Sequence, residues 1–371
     1  MSKELQQAAT WASDWFGNKA LPMWFEKGAD KKNGGFHEKL NQDGNPTADN
    51  RRFRVQARQL YVYSEAQEQE LYTNEKAVAH GLKAVLPLFV EGKGFPKLLS
   101  PEMKVIDDSF DIYDNTFGLL GLGGAYRLSG DPKLLKMAQS LVPLIEKENQ
   151  AQLAEAAKGG QLISDPMMHF FETCMYWGDI TGDDYWMDRA GVAVKHALKL
   201  FFDRKNGILH EVFNPVSQQD CVRPGHHYEW AWLLDQWEEL SGDDFADVSE
   251  KLFVYAESKG IDKQRGGVVV DELSLDGAVS KATARQWPQT ERLRASLSRW
   301  RKFERPKDLA NGLESFKVMQ RYADTQVPGL WHDVMAADGS FDASAPAWTS
   351  STYHYLGAVV ELRTSAALAD E

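Results

Sequence analysis

Gly207-Ile208-Leu209-His210-Glu211-Val212, then Arg223-Pro224-Gly225-His226-His227-Tyr228-Glu229-Trp230, then Leu240-Ser241-Gly242-Asp243 set out in one stretch the plan of the whole chain. A glycine-led run with alternating apolar residues reads as a short strand. The Pro-Gly opens a segment whose aromatic and aliphatic residues recur at helical spacing. Gly242 can end that helix in the left-handed conformation, and Asp243 can cap the next one. One unit therefore reads hairpin, apolar helix, Gly-Asp turn, second helix.

The unit recurs along the chain. Its strand segments begin at Gly34-Gly35, Gly94, Gly159-Gly160, Gly207, Gly266-Gly267 and Gly329, spaced 48 to 65 residues apart. Asp43-Gly44, Asp276-Gly277 and Asp338-Gly339 mark tight turns within them. Leu128-Ser129-Gly130-Asp131 and Ile180-Thr181-Gly182-Asp183 repeat the helix-to-helix marker. The first helix of each pair is the more apolar (Thr116 to Leu128, His169 to Ile180, Tyr228 to Leu240). The second is amphipathic (Pro132 to Lys147, Asp184 to Phe202). Six apolar inner helices and six amphipathic outer ones imply an all-α fold, an (α/α)6 barrel with short β-hairpins in the loops at one end. An open helical solenoid is the alternative; hairpins between the pairs and 12 Trp fit a closed ring with a pocket better. No linker interrupts the pattern, so residues 1–371 read as a single domain.

Composition narrows the function. Net charge is −12, from 42 basic and 54 acidic residues without a block of like charge, which argues against nucleic acid or an anionic membrane as partner. Two cysteines, Cys174 and Cys221, provide neither a disulfide framework nor a metal-binding spacing. No apolar leader or membrane-length run is present, and a cytoplasmic monomer or homodimer is expected.

The chemistry collects just past each hairpin, at the start of each inner helix. Arg58, Asp114, His169, His226 with Glu229, Trp287 with Glu291, and His354 all fall there. If the ring closes, these starts converge on one funnel. His226 and Glu229 share a helix face, as do His169 and Glu172. Each has a plainer reading: a core histidine held by a carboxylate, a packed Trp, a buried ion-pair arginine. Arg51, Arg52 and Arg54 beside Arg58 read as a solvated basic cluster. Glu229 and Glu291 could also pose as the carboxylate pair of a glycoside hydrolase, and His169, His226, Glu229 and His354 as ligands of a divalent ion. A non-catalytic helical scaffold would leave the convergent histidines unexplained.

In Arg58, Met168-His169 with Glu172, Pro224-Gly225-His226 with Glu229-Trp230, Arg285 with Trp287-Pro288 and Glu291, and Tyr353-His354, the chain resembles the N-acylglucosamine 2-epimerase superfamily over nearly its whole length. The C-terminal block, Trp348-Thr349-Ser350-Ser351-Thr352-Tyr353-His354-Tyr355, departs from relatives that carry Lys and Pro before the Tyr-His. The resemblance implies the same barrel and a proton removal beside a sugar carbonyl through a cis-enediolate, with no cofactor and no metal. It implies His354 as base at C2, His226 as its acid/base counterpart polarised by Glu229, and Arg58 on the enediolate oxygen. His169, Glu172, Glu291, Trp287 and Asp114 would bind the substrate, a free monosaccharide. Within the superfamily the Val-Gln-Ala-Arg and Pro-Gly-His contexts look closest to D-mannose isomerases, with sugar 2-epimerases and sulfoquinovose-type isomerases as neighbours.

Overall fold

The computed structural model of the chain describes residues 2–215 and 220–369. Within them the alternation of outer and inner helices is α1 (Ser2–Ser13), α2 (Phe53–Glu68), α3 (Glu75–Val85), α4 (Ile112–Ser129), α5 (Pro132–Ala157), α6 (Asp165–Thr181), α7 (Asp184–Phe201), α8 (Pro224–Ser241), α9 (Ala246–Lys259), α10 (Gln286–Phe303), α11 (Pro306–Ala323) and α12 (Thr352–Leu368). The even-numbered helices form the inner ring. Each packs on its neighbour in order, α12 returns to α2, and the α6–α8 junction is the loosest. The fold is an (α/α)6 barrel.

The Gly-Asp markers act as the sequence implies. Gly130, Gly182 and Gly242 sit at φ +64°, +65° and +76°, ending α4, α6 and α8. Asp131 and Asp183 cap α5 and α7 by accepting from the N–H groups of Lys133 and Tyr185. The third Asp does not cap. The loop there runs on before α9 begins at Ala246; Asp244 accepts from the Ala246 N–H, while Asp243 takes the indole N–H of Trp237.

Strands do more than form hairpins within a unit. Phe202–Asp203 pairs with Ile208–Leu209, and Ile261–Asp262 with Val268–Val269, as hairpins. Others tie one unit to the next: Arg51–Arg52 to Leu98–Leu99, Leu162–Ile163 to Val212–Phe213, Ala284–Arg285 to Val334–Met335. Val222 bridges to Leu273, and Lys39–Leu40 pairs with Ala347–Trp348, joining the first unit to the last. These pairings make a belt at the N-terminal ends of the inner helices. Among the described residues the belt is interrupted only between the second and third units.

A polar latch recurs beneath the belt. Gln56 holds the backbone N–H and C=O of Phe36, Asn115 those of Phe95, and Gln289 those of Val269, each across 20 residues. In the fourth unit His227 takes the place: its Nε2 accepts the Leu209 N–H, and its Nδ1 faces the Arg223 carbonyl. Burial without such partners would leave strand amides orphaned.

The seam between chain start and end is aromatic. Trp11 stacks on Trp15, Trp24 on Trp331, and Tyr355 sits 4.9–5.0 Å from Trp15 and Trp331. Each such ring contributes about 4–6 kcal/mol of transfer free energy as an upper figure. The Gln6 amide of α1 donates to the Ala366 carbonyl of α12 at 2.6 Å. The apolar pattern fails in α2, which buries Gln56, Arg58, Gln59 and Glu65, and most in α10, which buries Gln286, Gln289, Glu291, Arg292, Arg294 and Arg299. Its charges are paired, Arg292 with Glu257 and Glu314, Arg299 with Glu250.

Candidate active site

The inner-helix starts do converge. Arg58 from α2, Tyr113 and Phe117 from α4, His169 and Glu172 from α6, His226 and Glu229 from α8, Trp287 and Glu291 from α10, and His354 from α12 face one another inside the belt. The indole of Trp287 lies against two imidazoles, its ring centroid 5.0 Å from His226 and 5.4 Å from His354. Gly225 makes this approach feasible, since a Cβ there would come within 2.5 Å of the Trp287 ring. This is a physical reason for glycine between Pro224 and His226.

Each histidine is oriented by a carboxylate through Nδ1. His169 bonds Glu172 at 2.8 Å, His354 bonds Glu291 at 2.8 Å, and His226 bonds Glu211 at 2.8 Å. The last pairing corrects an expectation: Glu229, one helical turn from His226, is not its partner. The imidazole turns outward to Glu211 on the preceding hairpin, with Asp165 of α6 at 3.4 Å. Helical spacing puts His226 and Glu229 on one face, but it does not decide which way a ring nitrogen turns.

Glu229 takes a different place. It lies between the His169–Glu172 and His354–Glu291 pairs, with donor atoms within 4.8 Å of each. Its Oε1 has no hydrogen-bond partner. Burial, together with repulsion from Glu291 and Glu172, raises its pKa well above the usual carboxylate range, so it is held as the neutral acid. Glu291 moves the other way: burial would raise it, but Arg294 and His354 hold it low and ionised. Arg294 donates to the Glu291 Oε2 at 2.8 Å.

The two histidines beside Trp287 also diverge. Burial pushes His354 down to about 4 against the pull of Glu291, with Arg58 and Arg294 adding to the depression. Burial would depress His226 too, yet Asp165 and Glu211 overcome it and raise its pKa. At neutral pH His354 is a neutral base and His226 the more readily protonated acid. Arg58 donates to the Tyr113 hydroxyl at 3.1 Å and stacks 3.8 Å over Phe117. Among the described residues its buried Nε has no hydrogen-bond partner and no carboxylate forms an ion pair with it.

Other expectations land elsewhere. Asp114 is buried, but its oxygens accept the Arg54 backbone N–H and guanidinium at 2.8 Å each, so it ties α4 to α2 and faces away from the funnel. The arginines near Arg58 are not a solvated cluster: Arg51 is bonded to Asp30, Arg52 to Glu38 and Arg54 to Asp114. Buried arginine needs a counter-charge, and each finds one on a neighbouring segment. Reading helix starts alone missed Glu211, Asp165 and Arg294, and it gave no role to Tyr353, whose hydroxyl donates to Glu172. Arg294 had a signal, being three residues after Glu291; Glu211, at the bend between two short strands, had none.

Three donor groups have cation-holding spacing: Asp165, Glu211 and His226; His169, Glu172 and Glu229; Glu229, Glu291 and His354. In each the imidazole is bonded through Nδ1 to a carboxylate, the pattern of an oriented acid or base as well as of a ligand with its outer partner.

The chain matches the profile of the N-acylglucosamine 2-epimerase (GlcNAc 2-epimerase) family over residues 34–358. It is 34% identical over 389 residues to a mannose-6-phosphate isomerase of Rhizobium meliloti (strain 1021), covering 98% of both chains. The fold superposes on the cellobiose 2-epimerase of Spirochaeta thermophila with a TM-score of 0.84 at 18% identity, over 99% of this chain and 98% of that one. It superposes on a D-mannose isomerase with a TM-score of 0.80 at 18% identity, over 95% and 97%.

Proposed function

The chain belongs to the N-acylglucosamine 2-epimerase family and is a sugar isomerase or epimerase; from that premise we propose that it interconverts D-mannose and D-fructose as free sugars. D-Lyxose and D-xylulose are the pentose counterparts. The observation that carries the reading is Trp287 flanked by two carboxylate-oriented imidazoles with opposed protonation preferences. Aldose–ketose transfer through a cis-enediolate needs one base and one acid on a single sugar, and this pair supplies both.

In this scheme the sugar ring lies on the Trp287 indole. Neutral His354 removes the C2 proton, and Glu291, ionised behind it, stabilises the imidazolium that forms. His226, kept protonated by Glu211 and Asp165, gives a proton to the C1 carbonyl oxygen and then, as its conjugate base, takes the proton from the C2 hydroxyl as the C2 carbonyl forms. Arg58, with no carboxylate of its own, balances the charge on the enediolate oxygen in a dry pocket. His169 and Glu172 bind hydroxyls, and neutral Glu229 donates to the ring oxygen or a hydroxyl. Return of the proton to C1 gives the ketose; return to the other face of C2 gives a 2-epimerase. No step calls on a metal.

The relative's name raises mannose 6-phosphate as a substrate. The charges here favour the uncharged sugar: Asp165, Glu172, Glu211, Glu229 and Glu291 line the site, while Arg51, Arg52 and Arg54 are each held by a carboxylate. An inverting glycoside hydrolase reading is disfavoured because Glu229 and Glu291 crowd together, whereas such a pair stands about 6.5–9.5 Å apart to admit water.

The test is NMR in D2O with EDTA-treated protein and D-mannose, D-fructose or mannose 6-phosphate. Fructose from mannose, with deuterium at C1 or C2, is the expected result. Glucose as first product from mannose would move the reading to a 2-epimerase. Turnover of the phosphate ester alone would overturn the free-sugar assignment.

A further inference from the structure

The catalytic residues have a second layer beneath them. One helical turn deeper than Arg58, Phe117, Glu172, Glu229, Glu291 and His354 stand Tyr61, Leu120, Met175, Trp232, Arg294 and Gly357. Together these line a cavity of about 330 Å³ on the barrel axis. Its upper wall is Glu172, Tyr353 and Arg294, which are also the floor of the active site. Its lower rim is Asp179, Glu239 and Leu240, all exposed at the end of the barrel opposite the belt. It lies where α6 and α8 separate, the loosest junction of the inner ring.

The geometry points to this cavity as a water-filled shaft that exchanges protons between the catalytic base and bulk solvent while substrate closes the mouth. The inference rests on the isomerase reading above. A void of this size, with Glu172, Tyr353, Arg294 and Gln236 set among apolar side chains and exposed acids at its rim, has room and partners for water, and the unpartnered Nε of the buried Arg294 at its upper end calls for a hydrogen-bond acceptor. From His354 the route runs to Glu229, whose donor atoms lie within 4.8 Å of both the His354–Glu291 and His169–Glu172 groups. It continues through Glu172 to the Tyr353 hydroxyl, and both residues face the shaft. Burial and the neighbouring Glu291 and Glu172 favour the protonated form of Glu229.

The step balances without a co-reactant. The C2–H bond breaks, its electron pair enters the enediolate, and His354 holds the proton. Glu229 accepts that proton as it releases its own through Glu172 to shaft water. In D2O the reverse passage returns a deuteron to His354, which forms the new C–D bond at C1 or C2. With the mouth covered by sugar, deuterium entry beyond what Glu229 and the sugar hydroxyls already hold needs such a second route.

Plugging the shaft far from the base tests this. Gln236 lines it, two helical turns below Glu229, and Gln236→Phe fills it; Leu240→Trp, at the exposed rim, does so with little risk to folding. Deuterium per turnover is read in product formed from unlabelled D-mannose in D2O, beside kcat/KM. The expected result is kcat/KM within about twofold of the parent and deuterium per turnover lower by about threefold or more in both variants. Gln236→Ala, which widens the shaft, keeps the parent value. Unchanged deuterium per turnover in both plugged variants, or a parent enzyme that transfers the proton without any deuterium entry, would overturn the shaft. Absence of turnover and exchange with any sugar overturns the isomerase reading instead.

Discussion

Replacing Glu211 by Gln separates two accounts of His226, because Glu211 is its hydrogen-bonded carboxylate and Glu229 is not. His226 has a raised pKa, so its acid form persists below that value and is lost above it; His354, at about 4, is available as a base only above that pH. The profile of kcat/KM is therefore bell-shaped, with an acid limb near pH 4 and an alkaline limb above 6.5. Glu211→Gln removes one of the charges that raise His226, so the alkaline limb moves to lower pH while the acid limb stays. A profile unchanged in both limbs would remove Glu211 from the acid's environment. His354→Ala and His226→Ala each lower kcat by about 100-fold or more, measured with mannose under saturation. The histidines, Glu291, Trp287 and Arg58 were legible because chemistry-bearing types fell at repeat positions. Glu211 and Asp165 were not, since a partner supplied by another segment leaves no spacing in the sequence.

The helices were legible through their punctuation, Pro at the start and left-handed Gly at the end, while the latches were not. Gln56, Asn115 and Gln289 do the same work in three units, yet a lone amide in a helix carries no visible pattern until the strand it holds is known. Gln289→Leu leaves the Val269 N–H and C=O without their partner in a buried place and costs about 1–3 kcal/mol, read as a lower urea midpoint with m unchanged. The fourth unit substitutes a titratable latch. His227→Gln restores the group used elsewhere, so it is expected to keep stability near neutrality and to weaken its dependence on acid. The α2–α4 contact is close because Gly121 faces the Ala57 carbonyl; a Cβ would come within 2.7 Å of that oxygen. Gly121→Ala therefore separates the helices that carry Arg58 and Tyr113, with loss of both stability and kcat. The rule of an apolar inner helix failed at α10, whose buried arginines are matched by Glu257, Glu314 and Glu250 from flanking helices. Periodicity detects apolar burial and is blind to paired charge.

For the molecule as a whole, two buried histidines weaken the fold in acid, while the buried carboxylates Asp114 and Asp333, raised to about 6, and Glu229 act in the opposite sense. His227, driven down to about 3 by burial, and His354, at about 4, are neutral in the fold but take up protons near 6.5 when unfolded. Their contribution is complete above pH 6.5 and is lost as pH falls toward 4 and then 3. The raised pKa of His226 works in the opposite sense and at higher pH: its contribution is complete below 6.5 and is lost as pH rises through the folded value. Urea midpoints at pH 7.5 and pH 5 are expected to differ, with the lower value at pH 5; an equal or higher value would mean that His226 and the raised carboxylates Asp114, Asp333 and Glu229 outweigh the pair. The ring was legible as a count of repeats, while its closure was not, because Lys39–Leu40 and Ala347–Trp348 lie too far apart in sequence for any local signal to pair them. That join, with the amide of Gln6 on the Ala366 carbonyl, gives the polypeptide the topology of a circle with a nick. A short peptide linking the two ends, and a new opening between the second and third units where the belt is already interrupted, would give a rearranged gene order for an unaltered enzyme.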